Sequence, residues 1–233
     1  MLYRTRMQKL LLLHGAIGSS KQFDALVPLL QKQLEVYTPD FSGHGGKPIP
    51  AEPFSIELFA NDVLNWMQEM KIETINIFGY SMGGYVALYL AKHYPEKVGK
   101  VFTLATKFNW NPEGAAKEAA MLNPEKIAEK VPAFANALEQ KHGEHWKTVL
   151  TKTAEMMVNL GNSPALSLTD LSAVQQRVLI SVGDKDNMVT LEETIVAYRA
   201  FTNAQLLVLP QTQHPFEKVN TQRIADEIAQ YFG

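Results

Sequence analysis

The feature that most restricts the fold is INIFGYSMGGYVALYLAKHYPEKV, residues 75–98, in which three glycines surround one serine. An apolar, β-branched run ends here and a helical pattern begins. Glycine loses more backbone freedom on folding than any other residue, so Gly79, Gly83 and Gly84 need a local reason. We expect a sharp turn at which backbone segments pack closely, with Ser81 at the bend.

Short apolar runs alternate with longer helical patterns, and six of the runs are candidate strands: Lys9–His14, Glu35–Pro39, Thr74–Phe78, Lys100–Ala105, Arg177–Val182 and Gln205–Leu209. The first and fifth, KLLLLH and RVLISV, are nearly continuous apolar runs, as in strands buried on both faces. The alternation predicts an α/β fold, with a mostly parallel sheet and helices on both faces. Ser55 is a candidate helix cap, and the pairs Ser19–Gln22 and Thr190–Glu193 fit capping boxes.

Residues 109–170 break this rhythm, because no strand pattern occurs there and prolines and glycines separate several helix-like pieces. We interpret this segment as a helical cap inserted into a core domain of residues 1–108 and 171–233. The insertion leaves and re-enters the sheet at strand ends, so it can cover the residues that follow the strands.

Composition excludes several classes of function. The chain has 233 residues, a formal net charge of −2 and no cysteine, which argues against nucleic-acid or membrane partners and thiolate chemistry. The N-terminal segment resembles a secretory signal, but its apolar run, Leu10–Leu13, is shorter than the roughly 7–15 residues such a signal needs. We expect a cytoplasmic monomer or homodimer.

Three residues in separate loops carry the candidate chemistry. Ser81 lies in a G-x-S-x-G motif between a strand and a helix, which exposes the hydroxyl above the sheet. Serine needs a positioned base, and His214 follows the last strand. The base needs an acid, and the loop GDKDNMV supplies two candidates, Asp184 and Asp186. We prefer Asp186, which lies deeper in the loop, and expect Asp184 to hydrogen-bond the turn instead.

Other histidines have alternative explanations. His14 and His44 each precede a glycine, which indicates structural roles, and His93 lies near a helix C-terminus, where a cation is favourable. His142 and His145 are expected on the surface of the insertion. Metal binding by this H-x-x-H pair is disfavoured, because the sequence offers no obvious third ligand.

A developing oxyanion needs hydrogen-bond donors. The Met82 backbone N–H, just after the serine, is one candidate, and the Ala16 backbone N–H in the loop HGAIGSS is the other. A plain strand-to-helix loop would also explain that glycine-containing segment.

The substrate pocket is predicted from apolar residues near these loops and in the insertion: Ile17, Tyr80, Phe108, Trp110, Met121, Met156, Met157 and Met188. The pocket candidates that lie in the insertion can equally pack between the insertion's own helices. The insertion contains lysines but no arginine, which argues against tight bidentate binding of a polyanionic substrate.

The segments HGAIGSS, PDFSGHGGKP, GYSMGGYVALYLAKHYPEKV, GDKDNMV and QHPF occur in the order found in the α/β-hydrolase-fold family, which the chain resembles. The resemblance implies a triad of Ser81, Asp186 and His214, a helical cap, and a structural role for Asp40. The family's N-terminal antiparallel hairpin has little room here, so about six strands are expected, with at most a short edge strand at the start. Serine at position 81 argues against epoxide or halide chemistry, for which the family commonly uses aspartate.

These residues predict a serine hydrolase that needs no cofactor and cleaves a small or medium, largely neutral carboxylic ester through an acyl-enzyme. One alternative is elimination of the menaquinone-pathway type, although Tyr85 stands where those proteins commonly have arginine. Carbon–carbon hydrolysis with the same triad is another. A different class is a small-molecule receptor on the same fold with weak or no turnover.

Overall fold

In the computed structural model, which describes residues 7–233, six strands form at the six predicted apolar runs. They are Gln8–Leu13 (β1), Leu34–Tyr37 (β2), Ile75–Tyr80 (β3), Val98–Leu104 (β4), Val178–Gly183 (β5) and Ala204–Leu209 (β6). All five strand pairings are parallel, which confirms the predicted sheet. The suggested N-terminal edge strand falls largely on residues 1–6, outside the described range.

The strand order is β2-β1-β3-β4-β5-β6. The chain therefore leaves β1 toward one edge of the sheet and returns to add β3 on the other side of β1. Ligand sites of parallel sheets lie beyond the carboxyl ends of the strands at such a reversal, because the two following loops diverge and leave a crevice. Ser81 follows β3 and Ala16 follows β1, so both lie at this point.

Ten α-helices occur in the described residues: Val27–Leu30 (α1), Ile56–Glu69 (α2), Met82–His93 (α3), Pro112–Ala120 (α4), Pro124–Lys130 (α5), Pro132–His142 (α6), Trp146–Asn162 (α7), Leu168–Ser172 (α8), Leu191–Ala200 (α9) and Thr221–Phe232 (α10). Four short 3-10 turns accompany them: Ser20–Phe23, Pro95–Lys97, Gly143–His145 and Phe216–Lys218. Side chains of α2, α3 and α9 pack on one face of the sheet, and those of α1 and α10 pack on the other. The inner strands β1 and β5 are therefore covered on both sides, which explains their nearly continuous apolar sequences, whereas the edge strands β2 and β6 are only partly buried.

Two of the three predicted helix caps are confirmed. The Ser55 side chain accepts a hydrogen bond from the Leu58 N–H, and Thr190 and Glu193 form a reciprocal capping box. The capping box predicted at Ser19 is wrong, because its side chain makes no capping hydrogen bond.

The segment between β4 and β5 contains only helices, α4 to α8, in agreement with the absence of a strand pattern in residues 109–170. Its members form a small apolar cluster of their own, made of Ile127, Ala135, Leu138, Trp146 and Leu150. Buried residues of α7 join the main core, so the insertion rests on the sheet's helical layer beside the carboxyl ends of β1 and β3.

Candidate active site

Ser81 lies on a strained turn between β3 and α3. Its backbone has φ 51° and ψ −116°, a region that residues with a side chain rarely adopt. A Cβ atom on Gly83 would lie 2.1 Å from the Leu13 carbonyl oxygen, and one on Gly79 would lie 2.4 Å from the Gly83 carbonyl oxygen. The glycines therefore allow α3 to start directly against β1 and β3, and this contact places the serine above the sheet.

The folded chain brings the serine, histidine and aspartate candidates into one line. Ser81 Oγ lies 3.4 Å from His214 Nε2, and His214 Nδ1 lies 2.8 Å from Asp186 Oδ2. The Asp186 side chain is 1% exposed and the His214 side chain 10% exposed, so water screens their interaction little. A carboxylate at Nδ1 favours the tautomer that leaves Nε2 free to accept the serine proton.

Backbone groups hold both partners of the serine. The second oxygen of Asp186 accepts hydrogen bonds from the Met188 and Val189 N–H groups, each at 2.8 Å. The Tyr80 hydroxyl donates to the His214 carbonyl oxygen at 2.8 Å, and burial raises the pKa of this phenol above its ordinary value. The aspartate and the histidine loop are therefore positioned before any ligand binds.

Asp184 occupies a different place from Asp186. Its Oδ1 accepts a hydrogen bond from the Thr212 N–H at 3.3 Å, which joins the loop after β5 to the loop after β6. In the sequence analysis, a hydrogen bond to the turn was the alternative role considered for Asp184.

The two candidate oxyanion donors flank the serine. The Met82 N–H belongs to the first residue of α3, where helix N–H groups have no partner within the helix. Neither this group nor the Ala16 N–H donates a hydrogen bond within residues 7–233. The Ala16 loop is fixed from both sides: Gln22 Oε1 accepts from the Gly15 N–H at 3.1 Å, and Ile17 has a φ of 52°.

Two buried histidines, His14 and His142, hydrogen-bond to this loop, and a third, His44, packs against both of them. His14 Nδ1 lies 2.8 Å from the Gly15 carbonyl oxygen, and His14 Nε2 accepts from the Phe41 N–H. Burial lowers the pKa of His14 from 6.5 to about 3 and also lowers that of His44. Neutral His14 makes no ion pair with Asp40, whose carboxylate instead accepts from the Ser20 N–H and hydroxyl.

The predicted surface position of His142 is wrong. Its side chain is buried, Nε2 lies 2.9 Å from the Ile17 carbonyl oxygen, and Nδ1 accepts from the Gly45 N–H at 3.2 Å. Burial lowers its pKa as well. Because a neutral imidazole has one donor and one acceptor, it can satisfy one backbone group in each of two core loops. His145 is 44% exposed, as expected for the surface.

A mostly apolar cavity of about 310 Å³ lies over Ser81 and His214, between the core loops and the insertion. Six of the eight predicted pocket residues line it: Ile17, Tyr80, Trp110, Met156, Met157 and Met188. Met156 is also part of the buried core, so lining the cavity and packing the helix seam are not exclusive for it.

Two predicted pocket residues do not line this cavity. Met121 is 57% exposed at the end of α4, because α4 turns its other face inward. Phe108 packs against the core, and its N–H donates to Glu193. The sequence showed that both residues are apolar but not which way either points.

The sequence did not identify five polar residues that also line the cavity: Gln22, Lys107, Glu118, Lys141 and Glu217. Their types carry no pattern, and only their positions after folding make them neighbours of the serine.

None of the helices in residues 7–233 combines the length and apolar character needed to cross a bilayer.

Comparison with known proteins places this geometry in context. The sequence pattern of the α/β hydrolase fold matches residues 9–145, more than half of the chain. Pimeloyl-[acyl-carrier protein] methyl ester esterase of Neisseria meningitidis is 38% identical over 118 residues, 48% of this chain and 44% of the relative. A human serine hydrolase-like protein is 32% identical over 98 residues, 41% of this chain and 48% of the relative. Each match thus spans less than half of the relative's length.

Solved structures agree over nearly the whole chain. The enol-lactonase of Burkholderia xenovorans LB400 has a TM-score of 0.78 at 19% identity, covering 99% of this chain and 92% of that one. A putative lipase of Acinetobacter baumannii AYE has a TM-score of 0.82 at 20% identity, covering 97% and 83%. At these identities the likeness concerns the fold alone.

Proposed function

Because the chain belongs to the α/β-hydrolase-fold family, we propose that it is a serine hydrolase that cleaves a carboxylic ester through an acyl-enzyme intermediate. One observation supports this above the others. The hydroxyl of Ser81, the imidazole of His214 and the carboxylate of Asp186 form a single line, and Ser81 and His214 line a mostly apolar cavity.

In the first step, Ser81 Oγ attacks the ester carbonyl carbon while His214 Nε2 accepts its proton. The resulting imidazolium is stabilised by the buried Asp186 carboxylate at Nδ1. The distance of 3.4 Å between Oγ and Nε2 is long for a hydrogen bond, and such contacts commonly shorten when substrate binds. The carbonyl oxygen becomes negative in this step and accepts from the Ala16 and Met82 N–H groups.

In the second step, His214 Nε2 gives its proton to the alcohol oxygen, the C–O bond breaks, and the alcohol leaves. A water molecule then attacks the acyl-enzyme carbonyl with His214 as base. Collapse of this second tetrahedral intermediate releases the acid and returns the proton to Ser81 Oγ. Every group needed for these steps belongs to the chain or to water.

The cavity supports a small or medium, largely neutral substrate. A volume of about 310 Å³ lies at the lower end of ligand pockets, and most of the lining is apolar. Two of its lining residues, Phe134 and Met188, are 40% and 38% exposed. The relatives named as methyl ester esterases also favour an ester over an amide or a phosphate ester.

The test combines active-site labelling with turnover. A fluorophosphonate probe should label the wild-type protein at Ser81, and the protein should hydrolyse p-nitrophenyl esters of short and medium acids. Ser81→Ala should abolish labelling and lower turnover on the order of 10⁴–10⁶-fold, because the triad acts as a unit. Thr151→Ala, on the exposed face of α7, is the matched hydroxyl control and should behave as wild type.

Absence of labelling and turnover in well-folded protein would refute the proposal. A ligand-induced thermal shift without turnover would instead favour the receptor alternative. Turnover of an elimination or carbon–carbon cleavage substrate in preference to every ester would favour the corresponding alternative.

A further inference from the structure

The cavity has a polar corner on the side of the insertion. Lys107 Nζ and Glu118 Oε1 lie 2.8 Å apart, and their side chains are only 17% and 16% exposed. Both residues line the cavity, together with Trp110, whose ring centroid lies 5.7 Å from Lys107 Nζ. We name Lys107, Trp110 and Glu118 the polar corner.

The polar corner has hydrogen-bonding capacity that the protein does not use. The Trp110 Nε1–H group is buried and has no acceptor within residues 7–233. Buried indole N–H groups usually have a partner, because leaving one unpaired costs about 1–3 kcal/mol. Among the same residues, Lys107 donates to no acceptor besides Glu118, so further donors are available beside the indole.

The net charge of the polar corner selects among ligand groups. An ammonium and a carboxylate in contact sum to zero, so a second carboxylate would face Glu118 as well as Lys107. A purely alkyl chain would leave the indole N–H unpaired and would cover the ion pair without hydrogen-bonding to it. A neutral group with an acceptor oxygen, such as a hydroxyl or a ketone, satisfies the donors without adding charge.

We propose that the polar corner is a specificity subsite for a neutral oxygen-bearing group on the acyl chain of the substrate. This inference rests on the proposed function, since it places the ester carbonyl at Ser81. The alcohol must depart before deacylation, whereas the acyl chain stays attached to Ser81 until water attacks. We therefore assign the acyl chain to the less exposed part of the cavity lining, which includes Lys107 and Glu118.

The test uses binding, so that it does not depend on turnover. Ser81→Ala protein is titrated by calorimetry with methyl hexanoate and with analogues that carry one hydroxyl or one ketone at carbons 3 to 6. A monomethyl ester of a dicarboxylic acid supplies the charged analogue. At least one oxygenated ester should bind about ten- to hundredfold more tightly than methyl hexanoate, the range of a charge-assisted hydrogen bond. The charged analogue should bind more weakly than that ester.

Variants assign the preference to the polar corner. In the Ser81→Ala background, Trp110→Phe and the double change Lys107→Gln with Glu118→Gln should each weaken binding of the oxygenated ester more than binding of methyl hexanoate, and so remove most of the preference. The exposed insertion pair Lys147 and Glu125, 3.9 Å apart, gives the matched control, and the same double change there should alter nothing.

Equal binding across the neutral panel, or tightest binding of the charged analogue, would overturn the subsite. Preservation of the preference in both polar-corner variants would also overturn it. Hydrolysis of methyl hexanoate by the wild-type protein would still support the proposed ester hydrolysis in either case, so the two ideas can fail separately.

Discussion

Acid should destabilise this protein through the buried histidines before most carboxylates become protonated. His14 is fully buried beside the loop that contains Ala16, and desolvation lowers its pKa from 6.5 to about 3. The hydrogen bond to the Gly15 carbonyl opposes this shift, whereas the positive charge of Lys141 and Lys47 adds to it. Because the folded state keeps this imidazole neutral, stability is complete above about pH 6.5 and falls as the pH decreases toward 3.

The magnitude follows from proton linkage. At about pH 5, His14 in the unfolded chain is almost fully protonated, whereas in the folded chain it is almost fully neutral. Integration between about pH 7.5 and pH 5 gives a loss of about 2 kcal/mol in the free energy of unfolding from this residue alone. Burial lowers the pKa of His44 and His142 as well, so both act in the same direction.

The assay is urea unfolding, followed by circular dichroism, of wild type and His14→Asn at both pH values. The asparagine amide can still donate toward the Gly15 carbonyl oxygen but does not titrate. The loss of stability between the two pH values should therefore be about 2 kcal/mol smaller in the variant. His145→Asn, at an exposed site, is the matched control and should keep the wild-type loss. An equal loss in wild type and His14→Asn would refute the argument.

Three further predictions concern the site and its supports. Asp186→Asn should lower turnover by about 10⁴-fold with little change in stability, whereas Asp184→Asn should keep turnover within a few-fold. Similar losses of turnover in both variants would contradict the assignment of Asp186 as the acid. Gly83→Ala should lower the free energy of unfolding, measured with urea, by about 3 kcal/mol or more, because the new Cβ would meet the Leu13 carbonyl of β1. The control Gly114→Ala, in α4, should change the free energy of unfolding by less than about 1 kcal/mol. His142→Leu should cost about 1–3 kcal/mol of unfolding free energy, since two partly buried hydrogen bonds to backbone groups are lost. A cost near zero would argue against those hydrogen bonds.

Local sequence predicted the scaffold. All six strands and the parallel sheet followed from apolar runs of strand length separated by helical patterns. The three glycines around Ser81 predicted a tight turn because close backbone contact is the main reason to place glycine there, and the Cβ distances agree. The caps at Ser55 and Thr190 were also predictable, because each depends only on residues within one helical turn.

Interactions between distant residues were harder to predict. Gln22 fits the pattern of a capping box with Ser19, yet its side chain accepts from the Gly15 N–H instead. His142 lies in a polar stretch that is typical of a surface helix, but it is buried against a loop 125 positions earlier in the chain. No local pattern contains the partner, so no local pattern could predict the contact.

The sequence by itself determined the alternation of strands and helices, the glycine turn at Ser81, and the loops that supply His214 and an aspartate. Only the tertiary structure decided that Asp186 rather than Asp184 contacts the imidazole, and which insertion side chains face the cavity. The physical reason is the distance along the chain between the residues that determine each property. Backbone conformation is set largely by neighbouring residues, whereas the direction and partner of a side chain depend on elements that meet only after the sheet has formed.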